Sequence, residues 1–147
     1  VANAEGLAQA LVDRFAGQLI RRIWVMPCLH RLLYWDFVVE TEWRYIAGRL
    51  GALYPLLDIR ADLPQPALTP LADEARKTTL GEFFALFTPF AYFEECPAEG
   101  AAKVNIYDLR YYSGEQFLHR GTVFFAADNT PAAAYIHSAG RTVKVDQ

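Results

Sequence analysis

Apolar residues recur every fourth position near the start of the chain, at Leu7, Leu11, Phe15 and Leu19, with Gln9, Asp13, Arg14 and Gln18 between them. Side chains four apart stack on one helix face, so the spacing predicts an amphipathic helix over about 4–19 that needs a sheet or helix to cover. The period then shortens. Residues 21–26 read as a short strand, and 33–40, with Tyr34, Trp35, Phe37, Val38 and Val39, as a longer one built from residues that suit a pleated surface. Pro27 separates them. Thr41 and Glu42 predict a tight reversal into a strand over 43–50, giving a hairpin with Trp35 and Trp43 among its aromatic members.

Pro55, Pro64, Pro66 and Pro70 interrupt the middle of the chain, and proline removes a ladder donor, so 51–69 is expected to be a connector between halves 1–50 and 70–147. Thr69 as N-cap, Pro70 at the first helical position and Asp73 with Glu74 in the first turn mark a helix over 71–87. Its buried stripe would be Ala72, Ala75, Thr79, Phe83, Leu86 and Phe87. Strands over 92–96, 102–112, 117–126 and 132–137, joined by short Pro- or Gly-bearing turns, complete an antiparallel meander. The expected class is therefore α+β, two helices packed on antiparallel sheet. Both halves read helix and then strands, which is what either a degenerate α-β-β-β duplication or a chance recurrence would leave.

The 147 residues suit one domain with a real core, and 53% apolar against 21% charged residues place the chain among compact globules. The net charge is −3 with the basic residues scattered, which lacks the electrostatic stripe that nucleic acid requires. No window holds the roughly 18 uninterrupted apolar residues of a membrane span. The greasiest stretch, 80–93, carries Glu82 and Pro89. The chain begins at Val1 and holds a single methionine, Met26, which suggests a piece excised from a longer protein.

Candidate chemistry is thin. His30, His119 and His137 stand far apart, and the nearest ligand pair, Cys28 with His30, falls short of the four ligands of a structural zinc site. Cys28 and Cys96 read as two small buried thiols or as a pair, and spacing alone leaves both open. Ser113 and Ser138 lie in no nucleophile elbow, and the glycines stand singly instead of forming a phosphate loop. No catalytic residue and no metal ligand is assigned. The binding candidates are Asp108 and Arg110, two residues apart on one face of an alternating strand, with the aromatics Trp35, Trp43 and Tyr107. Asp108 and Arg110 would either pair with each other at a strand end, tethering a neighbouring loop, or leave Arg110 to grip an anion.

The stretch from Val25-Met26-Pro27 through Tyr34-Trp35, Val38-Val39-Glu40 and Tyr45, followed by Glu94-Glu95 and Tyr107-Asp108-Leu109-Arg110-Tyr111, resembles the C-terminal soluble part of the bacterial inner-membrane metal-dependent hydrolases. The resemblance covers most of the chain. In that family the presumed metal ligands lie in the N-terminal, membrane-embedded half, and none of those motifs occurs here. The resemblance therefore implies no cofactor in this chain, a divalent metal only in the other half, and a soluble domain beside the bacterial inner membrane. Its expected partners are the membrane-embedded half, lipid head groups or another protein. Two readings follow. The chain is a non-catalytic accessory domain of a membrane-bound hydrolase, or a small binding module whose groove, lined by Trp35, Trp43, Tyr45, Tyr107 and Tyr111, takes an apolar or lipid-like ligand. An enzyme in its own right would need acids such as Asp36, Glu40, Glu94 and Asp108 to converge.

Overall fold

The computed structural model describes residues 3–28, 31–53, 56–97 and 101–146. It confirms the α+β class, with antiparallel sheets and more strands than the sequence pattern predicts. The chain divides after Gln65 into two compact units.

The first unit opens with α1, Ala4–Arg14, capped by Asn3, whose side-chain oxygen accepts from the Gly6 amide at 2.8 Å. Four strands follow, β1 (Ile20–Pro27), β2 (Tyr34–Thr41), β3 (Arg44–Gly51) and β4 (Leu57–Pro64), each antiparallel to the next in chain order. Leu7, Leu11 and Phe15 bury against Phe37, Val39, Ile46 and Leu50. The helix stops short of the expected 4–19 because Phe15 leaves helical geometry and Gly17 follows it, and Leu19 is 65% exposed with its carbonyl taking the Glu42 amide. At the β2–β3 reversal the Thr41 hydroxyl accepts from the Trp43 and Arg44 amides, doing the work of the missing Asn-Gly signal.

The expected connector over 51–69 is a correction. Its residues 57–64 form β4, in which Leu57, Ile59, Ala61 and Leu63 alternate with Asp58, Arg60 and Asp62. β4 is an edge strand and Pro64 is its last residue, so no ladder bond is lost to proline. Pro55 and His30 lie outside the described residues.

In the second unit the expected helix over 71–87 is two helices, α2 (Pro70–Lys77) and α3 (Thr79–Phe87). Thr78, at ψ 158°, ends one and caps the other: its hydroxyl donates to the Ala75 carbonyl at 2.7 Å and accepts from the Gly81 amide at 3.0 Å. Beyond them lie β5 (Ala91–Cys96), β6 (Lys103–Asp108), a two-residue hairpin of β7 (Tyr112–Ser113) and β8 (Gln116–Phe117), then β9 (His119–Phe125), β10 (Pro131–Ser138) and β11 (Arg141–Val145). The main sheet runs β11-β10-β9-β6-β5, again a meander in chain order. The expected strands 102–112 and 117–126 are each cut, since the chain turns at Leu109-Arg110 and breaks at Leu118 to make the hairpin. The edge strand β11 was not anticipated. Ala72, Ala75, Leu80 and Phe84 cover Phe93, Val104, Ile106, Val123, Phe125 and Ala134 on one sheet face. Thr79, Phe83, Leu86 and Phe87, expected in the buried stripe, are exposed, because the break at Thr78 resets the helical phase.

Candidate functional site

Asp108 ends β6 and Arg110 lies in the turn beyond it, so the pair does not share a strand face; the turn folds the guanidinium back instead. Arg110 Nε donates to Asp108 Oδ1 at 3.0 Å and one terminal nitrogen to Oδ2 at 2.9 Å, while the Arg110 amide donates to Oδ1 at 3.1 Å. The Thr88 hydroxyl adds a bond to Oδ1 at 2.8 Å, and Arg110 reaches the Phe87 carbonyl at 3.2 Å. Thr88 caps α3, so this fully buried carboxylate ties the helix end to the end of β6. Bonding to Asp108 pushes the guanidinium further up from its ordinary range, and the Arg110 side chain is 16% exposed. The arrangement is a clamp between two elements.

The aromatic candidates go to separate places. Trp35 packs half-buried against the α1 core, whereas Trp43, at the β2–β3 turn, is 74% exposed. Tyr45 donates to Glu40 at 3.0 Å, and Tyr111 stacks edge-on with His119. Tyr107 points away from the helices of its unit, donates to Glu94 at 2.9 Å and lies 5.3 Å from the Phe117 ring. Burial first, then the bond and charge of Glu94, push its hydroxyl up. The acids that an enzyme would gather are each engaged elsewhere: Asp36 with Arg49, Glu40 with Arg22 and Tyr45, Glu94 with Tyr107, and Asp108 with Arg110. Cys28 and Cys96 are free thiols, the first buried as expected and the second only half-buried.

The sheet face of the second unit opposite its helices carries an arrangement that sequence reasoning missed. β6, β9, β10 and β11 put Tyr107, Arg120, His137 and Thr142 in one cross-strand row, with Glu94, Asn105 and Thr122 in the next. Their polar groups form a chain of donation. The Thr142 hydroxyl meets His137 Nδ1 at 2.9 Å, His137 Nε2 meets the Thr122 hydroxyl at 3.2 Å, and Thr122 donates to Asn105 at 3.1 Å. Asn105 in turn donates to Cys96 Sγ at 3.2 Å, and the thiol leans on Glu94 at 3.8 Å. Thr122 has one proton and gives it to Asn105, so His137 carries its proton on Nε2 and accepts at Nδ1. Burial, and then the Arg120 charge, hold the His137 imidazole below its ordinary range. Burial, and then Glu94, push the Cys96 thiol up, keeping its proton available to donate.

At one end of this face a cleft of about 140 Å³ opens between the β8 hairpin and the β10–β11 turn, lined by Gln116, Phe117, Leu118, Arg120, His137 and residues 138–142. A second, shallower cleft of about 370 Å³ lies against Glu74, Lys77, Thr78, Thr79 and Pro131. Trp35, Trp43, Tyr107 and Arg110 line neither. The only sequence signal for the first cleft was period-2 polarity in β9 and β10; the register that joins Arg120 to His137 spans seventeen residues, from 120 to 137, and is not a local pattern.

No family model, curated protein or solved structure matches the chain.

Proposed function

We propose that the chain is a non-catalytic accessory domain of a membrane-bound metal-dependent hydrolase, presenting folded surface to the membrane-embedded half of that enzyme, to lipid head groups or to a protein partner. The observation that carries this reading is the clamp of Asp108 and Arg110: the most distinctive motif of the chain is spent on holding α3 to β6. The groove reading called for Arg110 at the mouth of an apolar cavity, and its guanidinium is instead bonded to Asp108 and the Phe87 carbonyl. An independent enzyme is disfavoured by the dispersal of Asp36, Glu40, Glu94 and Asp108 onto separate partners.

Metal content and turnover of ester and phosphoester substrates, measured on this chain beside a longer protein that includes a membrane-embedded half, test the proposal. Metal and turnover confined to the longer protein are expected. A stoichiometric metal with turnover in the chain alone would overturn it.

A further inference from the structure

We propose that the cleft beside the β10–β11 turn binds a phosphate group, held by Arg120 and Arg141 with Gln116 as a neighbouring donor. Arg22, Arg44, Arg49, Arg60, Arg76 and Arg110 each pair with a carboxylate. Arg120 and Arg141 have no carboxylate partner among the described residues, and both line this one cleft, which has no Asp or Glu in its wall. A site with two guanidinium groups in a chain of net charge −3 is locally opposite in sign to the molecule. Two forked cations match a dianion, and a phosphate group carries about −1.5 to −2 near neutral pH, whereas a carboxylate would balance one of them. The volume of about 140 Å³ takes a tetrahedral oxyanion and little more.

His137 makes the site readable. It is pinned between Thr122 and Thr142, faces Arg120 from β9, and has Gln116, Phe117 and Arg141 around the same cleft. The charged groups on that wall are the two arginines, so an anion that offsets them favours the protonated imidazole. The proposal stands on the cleft alone and holds or fails separately from the accessory-domain reading.

The test is a titration of the whole chain with inorganic phosphate at constant ionic strength, following the histidine ring signals by NMR, with chloride as the control. Saturable movement of the His137 signals and a rise of its pKa are expected. Arg120→Gln should weaken binding roughly tenfold or more, and Arg120→Lys should restore part of it. Arg141→Gln, at an exposed position, gives a second reading if Arg120→Gln loses its dispersed spectrum. Movement that fails to saturate, is matched by chloride, or persists undiminished in both glutamine variants would overturn the proposal. With saturation in hand, sedimentation with phosphatidic acid vesicles but not phosphatidylcholine vesicles assigns the phosphate to a lipid headgroup. Absence from both pellets assigns it to a soluble phosphate ester.

Discussion

Asp108 accepts from Arg110 and Thr88 with no solvent exposure, so its partners cannot be replaced by water. Asp108→Asn should cost about 3 kcal/mol, because it leaves a half-buried guanidinium without its charge partner. Thr88→Val should cost about 1–3 kcal/mol, since the Phe90 amide and Asp108 each lose a bond. Urea unfolding of both variants and their double mutant measures the coupling; costs that simply add would mean that the clamp does not act as a unit. Ala139, at φ 49°, is held in left-handed geometry and precedes Gly140 at φ 76° in the β10–β11 turn. A β-carbon costs about 1 kcal/mol in that region, so Ala139→Gly should raise stability by up to that amount. Thermal melting decides it, and a lowered midpoint would show that the turn has other constraints.

Among the elements, the junction of α2 and α3 shows where local propensity loses to packing. Glycine in the first turn of a helix invites replacement by alanine, which propensity alone would favour by about 1 kcal/mol. Here a β-carbon at Gly81 would come within 2.1 Å of the Ala75 carbonyl. Gly81→Ala should therefore destabilise, by about 1–3 kcal/mol, as denaturant unfolding would register. The two-helix break was legible in part. Thr78 is an evident N-cap with a glycine three residues on, yet the apolar stripe runs through it when only periodicity is counted. β4 was legible as alternation and was outweighed by its flanking prolines, whose cost vanishes at a sheet edge.

On the scale of the whole molecule, acid acts through groups in both units. Burial raises the Glu40 carboxyl, but the bonds from Arg22 and Tyr45 outweigh it and hold the group below its ordinary range. A depressed folded value means that stability is present above the unfolded pKa of about 4.3 and is lost as pH falls through the folded one. His137 is depressed as well, so the unfolded chain takes up its proton first, and stability declines as pH drops below about 6.5. Melting temperature should therefore fall from pH 7 to pH 5, then more steeply below pH 4. Glu40→Gln should flatten the lower segment and His137→Gln the upper one. A profile unchanged in both variants would place the acid sensitivity elsewhere.

Helices, strands and the α+β class follow from spacing between near neighbours, because four-residue and two-residue periods report which face of an element is apolar. In that sense α1, β2, β3, the start of α2 and most of the second meander were determined by sequence alone. Helix ends, strand breaks and the edge strands β4 and β11 depended on what each segment met across the sheet. The clamp needed the turn after β6 to return Arg110 to Asp108 beside Thr88, a residue twenty positions away. The row of Tyr107, Arg120, His137 and Thr142 needed strand register, which is set by tertiary pairing and moves every side chain to the other face if it slips by one residue.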